Sequence, residues 1–255
     1  MPRPNRRVHP GAARVCAALF WLALWALAAR GVGQALLLPA PWQVLIRWAA
    51  LAVTADFWAS VGASLLRVVL AFGIGTVTGA LLAAATHLSP WAGALLGPVL
   101  RVIRATPISS FIILALVWLP GGSVPVLCGA LMVLPVVWGS VSQGLRDTDK
   151  GLLEMAAVYR FSAWRRALRV YAPSTAPAFF AACQTALGLC WKAGVAAEVI
   201  GRPGHSVGTR LYEAKIYLQT ESLFAWTLTV ILLSVALEHA LAACLRAFAP
   251  RVKGV

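Results

Sequence analysis

Residues 151–173 read GLLEMAAVYRFSAWRRALRVYAP, and long apolar runs lie on both sides of them. The stretch carries Glu154, Arg160, Arg165, Arg166 and Arg169, and Arg146, Asp147, Asp149 and Lys150 come just before it. No proline interrupts it before Pro173. Leu152, Leu153, Ala156 and Ala157, then Phe161, Trp164 and Leu168, recur at helical spacing. A charged, amphipathic, helix-prone segment does not lie in hydrocarbon. It belongs in water, on a membrane surface or against a soluble partner. The reading is a docking element that hangs from a membrane-embedded body.

Composition agrees. The chain is 60% hydrophobic and only 12% charged, whereas soluble domains are about 45–50% apolar and about 25% charged. This is the make-up of an all-α polytopic membrane protein. The formal net charge is +14, which in a soluble chain would point to nucleic acid. Here the basic residues gather in particular flanks of the apolar runs, as the positive-inside rule has them, and no nucleic-acid partner is implied.

Six spans are expected. The basic start MPRPNRRVHPGAAR precedes an apolar run that is long for a signal peptide and lacks a clear cleavage site, so the first span is read as retained, over about 15–29. Leu38-Pro39-Ala40-Pro41 breaks it, and 42–53 reads as a short interfacial helix with Trp42 and Trp48 at headgroup level. The second span is about 58–86. Its Gly75-x-x-x-Gly79 offers a small-residue face for close helix approach, and Arg67 within it is expected to snorkel to the outer interface, with pairing inside the bundle as the alternative. Residues 87–98 read as a turn. The third span, about 99–119, is expected to kink at Pro107; the fourth is about 124–145, with Pro135 inside it. The fifth is about 174–200, the loop 201–220 is polar, and the sixth span is about 223–245.

Charge sets the orientation. One side collects Arg3, Arg6, Arg7, Arg14, Arg101, Arg104, Arg146, Lys150, Arg160, Arg165, Arg166, Arg169, Arg246, Arg251 and Lys253. The other has Arg30, Arg47, Arg202, Arg210 and Lys215. The bias puts both termini and the 151–173 stretch in the cytoplasm. The division is then 1–36 (cytoplasmic N-terminus and first span), 37–57 (external interfacial segment), 58–247 (core, with the polar segment 146–173) and 248–255 (cytoplasmic tail).

No catalytic constellation is visible. There is no G-x-x-x-x-G-K-[ST] phosphate loop, so the chain is not expected to hydrolyse ATP. His9, His87, His205 and His239 lack metal spacing. Cys16, Cys128, Cys183, Cys190 and Cys244 lie in apolar runs without a C-x-x-C and read as small hydrophobes. No cofactor is implied. Lys192 lies inside the fifth span, where an ionisable residue costs about 2.5–3.5 kcal/mol on insertion scales. It is expected to line a pathway and favour an anion, or else to pair with Glu198, near the outer end of the same span, or with a residue of another span, or to snorkel.

The stretch from Glu154 to Pro173 resembles the cytoplasmic signature of ABC-importer permeases, E-A-A, three residues, G, nine residues, I-x-L-P. Glu154 takes the place of E, Ala156 of the second A, Val170 of I and Pro173 of the final P; Met155, Arg160 and Ala172 depart from it. The departure at Arg160 falls where glycine would permit a turn between two short helices. Ser64-Leu65-Leu66-Arg67, Arg104-Ala105-Thr106-Pro107, Ala186-Leu187-Gly188-Leu189 and Ala196-Ala197-Glu198-Val199-Ile200-Gly201 are similar to the nitrate, taurine and aliphatic-sulfonate branch. The likeness runs from about 37 to 245.

The resemblance implies a type I ABC-importer permease fold in a cell inner membrane. It implies two copies around the pathway, a homodimer by preference, with an ABC ATPase dimer below and an extracytoplasmic substrate-binding protein outside. Leu153, Glu154, Met155, Ala156, Ala157, Arg160 and Phe161 would then couple to the ATPase, and Lys192 and Glu198 are the candidate pathway residues. A gradient-driven transporter is the alternative, but that class usually needs inverted repeats and intramembrane acids. A non-transporting scaffold is a third reading.

Overall fold

The computed structural model describes residues 10–253; the basic N-terminal residues Arg3, Arg6 and Arg7 and the end of the tail lie outside it. Among the described residues every regular element is helical. In order these are α1 (Pro10–Val32), α2 (Pro41–Ala52), α3 (Ala55–Leu88), α4 (Pro90–Ala105), α5 (Ile108–Leu116), α6 (Val124–Arg146), α7 (Lys150–Val158), α8 (Ala163–Arg166), a π-helical turn (Ala167–Tyr171), α9 (Ala172–Gly201), α10 (Val207–Ile216) and α11 (Thr220–Lys253). Among the described residues, five stretches are long and apolar enough to cross a membrane, and the bent pair α4–α5 makes a sixth if counted as one.

The third span departs from expectation. Its helix begins at Pro90, because Ser89 caps it: the Ser89 hydroxyl accepts from Ala92 N at 3.3 Å, and Pro90 suits the first turn. The expected turn over 87–98 is therefore mostly helix. At Pro107 the chain breaks rather than kinks, and α4 and α5 meet at 101°. Proline disfavours the helical conformation at the residue before it, and here Thr106 is extended, with φ −80° and ψ 131°. At 1.5 Å per residue, α4 spans about 24 Å and α5 about 14 Å, so neither crosses a hydrocarbon core of about 30 Å alone. The polar 201–220 region also holds a helix, α10, which its low hydrophobicity hides from a periodicity reading.

Two compact units divide the chain. The first comprises the described residues up to Phe57 together with Arg210–Thr229. Its polar and aromatic side chains tie it together. Trp25 Nε1 donates to Pro39 O at 3.1 Å, Trp48 Nε1 to Thr229 Oγ1 at 3.1 Å, and Arg47 Nε to Ser222 Oγ at 2.9 Å. Phe57 stacks on Trp226 with centroids 5.0 Å apart. Arg210 bonds both Asp56 and Glu213. Partial burial works against its charge, but the bonds to Glu213 and Asp56 more than offset this and lift its pKa above the ordinary value.

The second unit comprises Trp58–Thr209 and the chain from Val230. Its centre is the pairing of α6 with α9, with α3 and α5 packed against them. Small residues make this close. An added Cβ at Gly75 would lie 2.6 Å from Val133 Cβ, and at Gly79 2.8 Å from Leu134 O, so the G-x-x-x-G face of α3 is the one α6 approaches. Gly129 sits likewise against Ala71 and Cys190. Ile112 and Ala115 of α5 bury against Val124, Cys128 and Ala197. Leu66, Val69, Leu70, Ile74, Val77 and Leu81 leave α3's other face apolar and exposed, as a lipid-facing surface requires.

Candidate coupling segment and pathway residues

Asp149 starts α7. Its side chain accepts from Gly151 N at 2.7 Å, satisfying one of the amides that a helix N-terminus leaves free. The helix ends in a paired-bond cap: Phe161 N donates to Ala156 O at 2.9 Å and Arg160 N to Ala157 O at 3.0 Å. That cap requires a left-handed residue, and Arg160 supplies it with φ +51°. The turn is thus made without glycine, at a strain of about 1–2 kcal/mol. Ser162 then caps α8, accepting from Arg165 N, and the Arg165 guanidinium lies 6.0 Å from the Phe161 ring centre.

The seven residues expected to couple to the ATPase do not all face outward. Ala156 is 0% exposed and Leu153 is half-buried. Both seat the helix on its own chain, so Ala156 offers no surface to a partner. Glu154, Met155, Ala157 and Arg160 face outward, and Phe161 is half-buried at the turn. Beside them Val158 is 79% and Tyr159 70% exposed, and Trp164 of α8 is exposed too. The sequence reading names Trp164 for its helical spacing alone and does not single out Val158 or Tyr159. An apolar residue at the exposed end of a short helix leaves no periodic signal.

The two pathway candidates have opposite environments. Lys192 is exposed on α9 and has no ion pair among the described residues. Glu198 is 1% exposed and engaged on both oxygens. Ser64 Oγ donates to Glu198 Oε2 at 2.7 Å, Gly208 N to Oε2 at 3.1 Å, and Arg67 Nη1 to Oε1 at 3.0 Å. Arg67 therefore pairs inside the bundle instead of snorkelling, and Glu198 pairs with Arg67 rather than with Lys192. Arg67 Nη1 also reaches His205 O at 2.9 Å, and Ser64 Oγ accepts from Val207 N at 2.9 Å. Four elements of sequence meet here: α3, α9, the segment after α9 and the start of α10.

This is an anchor. The chain leaves α9 through Arg202 at φ +47°, then Thr209 Oγ1 donates back to Pro203 O at 2.7 Å and Ser206 Oγ donates to Thr209 Oγ1 at 2.7 Å. The buried side chains of Glu198, Ser64, Ser206 and Thr209 all find partners inside the chain, as buried polar groups must. Gly208 lies so close that an added Cβ would stand 2.3 Å from Glu198 Cβ. Such an anchor positions backbone; a saturated, buried carboxylate does not line an open route. No group of three or more possible metal ligands occurs among the described residues.

Comparison with known proteins fits this geometry. A family described as "Binding-protein-dependent transport system inner membrane component" matches residues 75–254. The aliphatic sulfonates transport permease protein named SsuC, of Escherichia coli (strain K12), is 28% identical over 202 residues, covering 78% of this chain and 76% of its own. The taurine transport system permease protein TauC of the same strain is 25% identical over 232 residues, covering 89% and 84%. The nitrate import permease protein NrtB of Synechococcus elongatus is 25% identical over 213 residues, covering 78% and 75%. In shape, the chain is similar to a solved amino acid ABC transporter, with a TM-score of 0.61 at 18% identity, over 81% of this chain and 96% of that one.

Proposed function

Because the chain belongs to the family of inner-membrane components of binding-protein-dependent transport systems, we propose that it carries a small organic or inorganic anion and is driven through its α7 segment. It is the permease subunit of an ABC importer, a multi-pass protein of the inner membrane, and ATP is hydrolysed in a separate ATPase subunit. A substrate-binding protein is its other partner.

The observation that carries the coupling reading is the build of α7. It is a short helix, fixed at its start by Asp149 and at its end by the left-handed Arg160, that presents Met155, Val158 and Tyr159 outward. A helix so capped moves as a unit. ATP-driven closure of an ATPase dimer would push it as a rigid body, and the push would pass into α6 before it and α9 after it. Glu154, Met155, Ala157 and Arg160 make the contact, while Leu153, Ala156 and Phe161 hold the helix to its seat. The charge bias supports a cytoplasmic position for this end and both termini, and two copies of the chain would enclose the route.

The anionic cargo is supported by the names of the sulfonate, taurine and nitrate relatives and by the exposed Lys192. The test is uptake into proteoliposomes holding the permease and its ATPase, supplied with the binding protein outside. ATP-dependent accumulation of nitrate, taurine or ethanesulfonate supports the reading. Uptake that follows an ion gradient and ignores ATP contradicts it.

A further inference from the structure

In the second unit a cleft of about 640 Å³ opens between α4, α6 and α9. The α6 wall is one stripe, running at helical spacing from Met132 through Pro135, Gly139 and Gln143 to Arg146. Thr185 and Leu189 line it from α9, and Arg104 from the last turn of α4. Lys192 follows Leu189 on the same face of α9, because 185, 189 and 192 repeat at i, i+4 and i+7. The arginine end adjoins the chain's turn into α7, since Arg146 closes α6.

The lining is one-sided in charge. Its polar side chains are Arg104, Arg146, Ser140, Gln143 and Thr185, and no carboxylate is among them. The neighbouring acid, Asp147, accepts from Gln143 Nε2 at 2.9 and 3.0 Å, while Gln143 Oε1 accepts from Arg146 Nη2 at 2.9 Å. Among the described residues Arg104 has no hydrogen bond or ion pair. Helix C-termini favour a cation, which accounts for one arginine at each helix end. It does not account for two from different helices meeting in one cleft with neutral donors between them.

We propose that this cleft is a binding subsite for small oxyanions on the cargo's route, with Arg104 and Arg146 supplying charge, Ser140 and Thr185 supplying neutral hydrogen bonds, and Gln143 holding Arg146 in place. Guanidinium forks match the planar faces of nitrate, sulfonate and sulfate alike. Lys192 is the next cation along the route. Met132 of α6 and Leu189 of α9 keep part of the lining apolar, so the ligand is held by few groups and released readily. The subsite rests on the reading that the cargo is an anion.

The experiment uses the full chain with Cys16→Ser and Cys244→Ser, which remove the exposed thiols, and with Ser140→Cys as a reporter. It is placed in phosphatidylcholine nanodiscs and modified with an anionic (sulfonatoethyl) or a cationic (trimethylammonioethyl) methanethiosulfonate. Relative to a free thiol, the anionic reagent is expected to gain about ten-fold over the cationic one, a usual size for a charge-focusing cleft. Arg104→Gln with Arg146→Gln should remove that preference, and millimolar sulfate or ethanesulfonate should slow the reaction. Equal rates for the two reagents, or no reaction at the introduced thiol, overturn the subsite. Protection by added phosphatidylglycerol but not by sulfate overturns it in favour of a lipid-headgroup site. Parallel uptake separates the two levels: equal rates with ATP-driven anion uptake remove the subsite alone, while uptake of a cation or neutral solute removes the reading beneath it.

Discussion

Arg67 and Glu198, 131 positions apart in the chain, meet with Nη1 3.0 Å from Oε1 in a site where the glutamate is almost wholly enclosed. The pair joins α3 to α9 and, through Gly208 N and His205 O, holds the segment that follows α9. Removing one partner strands a buried charge, at about 3–5 kcal/mol. Glu198→Ala and Arg67→Ala should each lower the thermal unfolding midpoint of the purified protein clearly. Arg67→Met combined with Glu198→Leu should recover part of the loss, since no charge is then left alone. Equal stability of all four proteins would show that the pair bears no weight.

Gly208→Ala tests the same anchor without touching a charge. Its new methyl would stand 2.3 Å from Glu198 Cβ and 2.7 Å from Val199 N, and the backbone atom cannot swing aside. Overpacking of this kind costs on the order of 1–3 kcal/mol. The expected result is a lower midpoint together with faster tryptic cleavage after Arg210. Unchanged cleavage would mean that the segment is held elsewhere.

At Arg160 the strain and the entropy of glycine oppose each other. Relieving a left-handed non-glycine residue returns about 1–2 kcal/mol, and glycine's extra freedom in the unfolded chain removes about 0.5–1 kcal/mol. Arg160→Gly should therefore be equal to or slightly more stable than wild type, whereas the β-branched Arg160→Val should be less stable than both. A Val variant as stable as wild type would contradict the left-handed cap.

Arg210 has a folded pKa raised above its ordinary value, so its contribution is fully present below the unfolded pKa and is lost only as pH rises through the folded one. Both lie far above the range of ordinary assays. The difference in unfolding midpoint between wild type and Arg210→Gln should thus be the same at pH 7 and pH 9. A difference that shrinks over that interval would assign the effect to another group.

The elements that repeat locally were legible in the sequence. Apolar run length marked the spans, and Gly75 and Gly79 announced the close approach of α3 to a partner helix, found to be α6. The break at Pro107 was legible in place but not in size, because a 101° bend depends on what α5 packs against. The ends of the Arg67–Glu198 pair lie on different helices, and periodicity carries no information about such meetings. Ala156 shows the same limit: its spacing fits an exposed or a buried face, and tertiary packing decided for burial.

The central claim is that α7 is the grip on the ATPase, and co-purification tests it most directly. The detergent-solubilised permease is compared with Met155→Glu plus Val158→Glu, both at exposed positions, so that folding, checked by unfolding midpoint, is preserved. The account predicts that wild type retains the ATPase and the double variant, equally folded, loses it. An ATPase held equally by both forms, or by neither, would contradict it.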